Sequence, residues 1–239
     1  MYKYLYGKWK YLKPLVDGSG QIRLCDIRHY ARLENENMQD DEEVKYFEFT
    51  PESIRIAFAG IEVNPDSLVG NVKFSMPVRN CLCICFSNKK NDPELFDKFD
   101  ADVCIEFNVE YLVNFLKFVF EDKFGGKVVA RNVEYYDKNA GLDYLPSEAA
   151  VFTKPIKYIH ESEYRIAAFL PYDAETLINL PGKEPFRAFQ RCDCPEQVIN
   201  TGGCCCYFAF LDNGLKDGFK SYIGEIEKLT SGSSGTANA

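Results

Sequence analysis

What most constrains this chain is how its apolar residues are grouped. They come in short runs closed by polar turns, and few stretches carry a helical period. Residues 2–6, 22–25, 44–49, 81–87, 102–107, 127–136, 164–170 and 207–211 read as strands. Three stretches read as helices. The first, 8–16, ends at the turn cluster Asp17-Gly18-Ser19-Gly20. The second, 109–120, has Asn108 as N-cap and Val109, Leu112, Val113, Leu116, Val119 and Phe120 at helical spacing. The third, 215–229, lines up Leu215, Phe219, Tyr222, Ile223 and Ile226 behind Asn213. Strands and helices do not alternate strictly, so the expected class is α+β, with mixed, mostly antiparallel sheets and flanking helices. Residues 1–229 fit one such domain, and the small polar tail 230–239, TSGSSGTANA, is expected to be disordered.

Charge narrows the partners. A net charge of −8 repels phosphate backbones and argues against non-specific nucleic-acid binding, though not against a small anionic cofactor held by local cations. No run reaches the roughly 18 apolar residues of a membrane span, and no apolar core follows the lysine-dotted start, so a cytoplasmic protein without membrane contact is expected. The acidic stretch 34–43 reads as a solvated loop.

Ten cysteines raise the question of disulfides or metal. Cys81, Cys83 and Cys85 alternate along NCLCICF, as small apolar residues on one face of a buried strand would. Cys192, Cys194, Cys204, Cys205 and Cys206 lack the regular paired spacing of a structural zinc site, and the only histidines are His29 and His160. Reduced thiols, no zinc and no other metal are the expectation. Glycine-rich phosphate loops, the dinucleotide-binding fingerprint and the nucleophile elbow are all absent.

The segment with most chemical content is His160-Glu161-Ser162-Glu163-Tyr164-Arg165, just before a strong strand. On extended backbone Glu161 and Glu163 would project to one side, and two adjacent carboxylates raise at least one pKa. The plainer reading is a solvated Glu161 and a Glu163 paired with Arg165 or a neighbouring strand. The chemical reading is one carboxylate holding a substrate hydroxyl while the other orients a nucleophile.

ESEYRIAAFLP resembles the end of the ADP-ribosyltransferase core, where two half-sheets face each other across an NAD cleft. That resemblance implies a split sheet, Glu163 as catalytic carboxylate on the ribose, and Glu161 as acceptor-side residue. More of the chain, roughly 2–170, resembles a widespread bacterial family of uncharacterised cytoplasmic proteins. The shared pattern is Tyr2-Lys3-Tyr4, Ile22-Arg23-Leu24-Cys25, Cys85-Phe86-Ser87, Val103-Cys104-Ile105-Glu106-Phe107, Val133-Glu134-Tyr135 and Glu161 to Arg165, in that order. Leu5 stands where that family has arginine, and the segment between Ser87 and Val103 lacks its tryptophan and His-Tyr pair.

Taken together, the two resemblances imply an ADP-ribosyltransferase-like enzyme acting on NAD, as a toxin or anti-phage effector, with a protein or nucleic-acid acceptor. Arg23 would hold the pyrophosphate, Tyr4 or Tyr30 would stack on nicotinamide, and Ser87 would support the ribose. Each of these residues also has an ordinary structural reading. The alternatives are a non-catalytic binding or interaction module on the same fold, and a metal-dependent nuclease using Asp40, Asp41, Glu42 and Glu43, whose consecutive carboxylates lack fixed geometry.

Overall fold

Which short strands find one another decides this architecture. The computed structural model describes residues 1–27, 30, 44–137, 147–171, 177–179, 182–187 and 208–229. In chain order the elements begin β1 (Tyr2–Gly7), α1 (Trp9–Val16), β2 (Ile22–Asp26), β3 (Val44–Phe49), β4 (Ala57–Phe58), β5 (Ile61–Glu62), β6 (Val72–Pro77) and β7 (Leu82–Ser87). Then come α2 (Pro93–Lys98), β8 (Val103–Asn108), α3 (Val109–Lys117), β9 (Lys127–Asn132), β10 (Glu134–Tyr136), α4 (Ser147–Ala150), β11 (Thr153–Pro155) and β12 (Glu163–Phe169). The last are β13 (Leu177–Ile178), β14 (Phe186–Arg187), β15 (Phe208–Leu211) and β16 (Ile223–Lys228).

The chain is α+β, and among the described residues its pairings are antiparallel except for β10 with β11. Eight strands form one sheet. Its path runs β15-β2-β7-β1-β8-β16, while β12 takes the other edge of β7 and is flanked in turn by β9. Two strands therefore share one edge of β7. β2 holds its start through Cys25↔Cys83 and Asp26↔Leu82, and β1 holds its end through Tyr4↔Ser87. Both run antiparallel to β7, so they are parallel to each other, with α1 as the crossover between them. The sheet forks where they diverge.

Alternation along β7 feeds two cores. Leu82 and Phe86 join Phe107 and the buried face of α3, namely Val109, Leu112 and Leu116. Cys81 and Cys83 pack on the opposite face with Ala150, Val151, Phe152, Ala167 and Phe169. The described cysteines, Cys25, Cys81, Cys83, Cys85 and Cys104, are all thiols. Asn108 caps α3 by accepting from Glu110 N at 3.2 Å. Beyond Lys117 the helix loosens into a π-turn over Phe118–Lys123, carrying Phe120 to the same core.

Two expectations are corrected, and one helix was not expected. The run 127–136 is two strands, because Val133 N donates to the Glu163 carbonyl at 2.9 Å and turns the chain from β12 toward β11. Residues 93–98, to which the sequence assigned no element, form α2, capped by Asp92, which accepts from Glu94 N at 2.9 Å. The helix expected over 215–229 does not form. Asn213 instead closes a turn, accepting from Leu215 N and donating to the Gly218 carbonyl. A 3₁₀ turn at Lys220–Tyr222 follows, and β16 then pairs with the free edge of β8. Gly218 and Gly224 weaken a helix, and the open edge of β8 offers Ile223 and Ile226 a ladder in its place. The acidic stretch 34–43, the tail 230–239 and Cys192, Cys194 and Cys204–Cys206 lie outside the described residues. No described helix is long and apolar enough to cross a membrane.

Candidate functional site

The site begins with one unusual backbone residue. Glu161 ends a 3₁₀ turn, Ile156–Glu161, Ser162 sits in the left-handed region at φ 44°, and Glu163 opens β12. The two glutamates thus do not lie on one extended strand, as their spacing alone implied. The kink at Ser162 brings their side chains together on Lys154, which β11 supplies. Its ammonium donates to Glu161 Oε2 at 2.7 Å and to Glu163 Oε2 at 3.3 Å. Arg165 grips Glu163 with two donors, Nε to Oε1 at 2.7 Å and Nη2 to Oε2 at 3.1 Å. Its Nη1 donates to the Val151 carbonyl at 2.6 Å.

All four charged groups are buried, Arg165 to 2 % exposure. Two anions facing two cations satisfy the condition under which buried charges are tolerated. The two carboxyls nevertheless behave differently. Burial, reinforced by the Glu163 charge, pushes Glu161 up to about 7 despite Lys154. Burial also acts on Glu163, but Arg165 and Lys154 outweigh it and hold that carboxyl well below the usual range. Two groups two residues apart are therefore a carboxyl that titrates near neutrality and a permanent anion.

The surroundings fix these groups in place. Ser87 Oγ donates to the Glu161 carbonyl at 2.7 Å and accepts from Lys89 N at 3.0 Å. Asn88 N donates to the Ser162 carbonyl at 2.8 Å. Tyr135 OH accepts from Glu163 N at 2.8 Å, and burial pushes its phenol up to about 12. Cys85, opposite Arg165 in the ladder, is raised well above an ordinary thiol by its hydrogen bond with Cys83 and by burial. It is a poor nucleophile.

A cavity of about 760 Å³ opens at the fork of the sheet. Its lining comes from both faces: Leu12 and Leu15 of α1 with Ile84 and Phe86 on one, and Cys85, Ser87, Lys154, Glu161, Glu163 and Arg165 on the other. Tyr4, Tyr6, Arg23, Cys25, Tyr30, Phe99 and Phe210 complete most of the wall. The six residues singled out in the sequence, Tyr4, Arg23, Tyr30, Ser87, Glu161 and Glu163, thus all border one space. Their settings differ. Arg23 is exposed on β2, opposite Phe210. Tyr4 packs against the cluster of Phe96, Ala101 and Cys104, Tyr30 packs against the Cys81–Cys83 core, and Ser87 is occupied as a backbone clamp.

Sequence reading missed Lys154 and Cys85 as members of this constellation. Lys154 lies seven residues before Glu161, across a 3₁₀ turn, a separation with no periodic signature. Arg165 was legible, since residues two apart on a strand share a face. Among the described residues no group of three or more His, Cys, Asp and Glu side chains could hold a metal ion. Asp40, Asp41, Glu42 and Glu43 lie outside them, as does His29.

Fold and site together define an α+β protein whose main sheet forks around a cavity floored by a buried carboxyl pair and its two cations. No protein-family model, curated protein or solved structure matches the chain.

Proposed function

We propose that this is a cytoplasmic ADP-ribosyltransferase-like enzyme whose forked-sheet cavity takes NAD. One observation carries the reading. A carboxyl that titrates near pH 7 stands beside a permanently ionised one, at the floor of a cavity of nucleotide-accommodating size with Arg23 and four tyrosines on its wall. In the reaction, the bond from ribose C1′ to the nicotinamide nitrogen breaks, and its electron pair neutralises the ring cation. Glu163 supports the positive charge developing on the ribose. The acceptor hydroxyl, on protein, nucleic acid or water, bonds to C1′ and gives its proton to Glu161. Arg23 meets the pyrophosphate and Tyr4 or Tyr30 stacks on the leaving ring.

Nicotinamide release from NAD tests this. Glu163→Gln is expected to lower the rate by about 10²–10³, the scale of a preorganised electrostatic contribution. Transfer to an acceptor is expected to rise with pH through about 7, because the base must be ionised, and Glu161→Gln should abolish that limb. A second reading, a binding module without chemistry, is favoured by Arg165 and Lys154, which already neutralise Glu163. NAD binding with no nicotinamide released under any acceptor condition would select it.

A further inference from the structure

We propose that the peptide group of Cys85 is a recognition subsite of this cavity, pairing with the donor–acceptor edge of a planar amide or nucleobase. Hydrogen-bond direction along β7 fixes which way each peptide group faces. Ile27 N donates to the Cys81 carbonyl at 3.0 Å, so Cys81 turns its peptide groups toward β2. In an antiparallel ladder alternate residues face the same neighbour, which carries this orientation to Cys83, Cys85 and Ser87. On the opposite side Asn88 N donates to the Ser162 carbonyl just ahead of β12, as the same alternation requires. Cys83 meets Cys25 of β2, and Ser87 meets Tyr4 of β1. Cys85 lies between them and has no partner in either ladder on that edge among the described residues.

Its register neighbours would be Arg23 if the β2–β7 pairing continued and Tyr6 if the β1–β7 pairing continued. Both have diverged, and both line the cavity with Cys85. On extended backbone the N–H and C=O of one residue point the same way and exchange two hydrogen bonds with whatever lies opposite. Main-chain groups inside a protein are nearly always paired, so a donor and acceptor facing a cavity at a sheet fork define a demand for a matching ligand. A primary carboxamide or the amino-and-ring-nitrogen edge of adenine offers one acceptor and one donor side by side. The aromatic walls at Tyr6 and Tyr30 suit the flat ring that carries such an edge. The choice of these two groups rests on the nucleotide reading above; the open peptide edge does not.

Amide hydrogen exchange followed by nitrogen-15 NMR on the wild-type protein tests the proposal without a variant. In the free protein the Cys85 amide is expected to exchange faster than those of Cys83 and Ser87. Nicotinamide and adenosine, added separately, identify the source: the one that binds should shift the Cys85 amide and slow its exchange. The matching N,N-dimethylated probe should bind about tenfold more weakly, the scale of one lost neutral hydrogen bond. Protection of Cys85 equal to its neighbours in the free protein would overturn the inference. So would an unchanged Cys85 amide with both probes, or equal binding of the dimethylated form. A Cys85 response without NAD cleavage leaves this subsite standing and removes the enzyme reading, and cleavage with a silent Cys85 does the reverse.

Discussion

Arg165 is the side chain on which the electrostatics of the site turn. It gives Glu163 two hydrogen bonds and is itself almost wholly buried. Arg165→Met would leave the carboxylate with Lys154 alone, and breaking a buried pair typically costs about 3–5 kcal/mol. Urea denaturation should show that loss, and the double change Glu163→Gln with Arg165→Met should recover part of it by removing the orphaned charge. Ser162 offers a second test. Its φ of 44° is left-handed, where a β-carbon costs about 1–2 kcal/mol. Ser162→Val should lower stability by that order, since β-branching adds to the crowding, while Ser162→Gly should cost nothing measurable. Nothing in the sequence marks Ser162 as the hinge that joins the carboxyls, because serine adopts this conformation only when its surroundings impose it.

At the scale of elements, the C-terminal segment is the clearest case of context overriding pattern. Leu215, Phe219, Tyr222, Ile223 and Ile226 have real helical spacing, yet Leu215 stays exposed while Phe219 is fully buried in the α3 core. A close approach of two glycines holds this segment against the turn after α1. A β-carbon on Gly218, at φ +50°, would meet the Gly18 carbonyl oxygen at 2.6 Å, and one on Gly18 would meet the Asp217 oxygen at 2.5 Å. Gly218→Ala should therefore cost about 1–3 kcal/mol, as overpacking against rigid backbone does. Exchange of the β16 amides should accelerate with it, while those of β12 change little. Sequence reading marked Gly18 as a turn residue and placed Gly218 inside a helix, and it did not show that two turns 200 residues apart (Gly18 and Gly218) touch each other.

For the whole molecule, the carboxyl pair ties stability to pH. The native state holds a proton on Glu161 between its ordinary value of 4.5 and about 7, where the unfolded chain has released it. Stability from this group is present at the acid end and falls as pH rises across that window. Glu163, depressed in the native state, contributes above its ordinary value and loses that contribution as pH falls below it. At about 1.4 kcal/mol per unit, the Glu161 loss is at most a few kcal/mol. Denaturation midpoints measured from about pH 5 to about pH 8 should decline, and Glu161→Gln should flatten the decline. By itself the sequence determined the α+β class, the apolar faces of β7 and α3, the capping of α3 and the Glu-x-Glu segment, because each is a local pattern with its own period. Only the tertiary structure decided the fork at β7, the capture of Lys154 by two carboxyls and the pairing of the C-terminal strand with β8. Each of those depends on which distant edge or charge is left unpaired once the rest of the sheet has formed, and no local spacing encodes that.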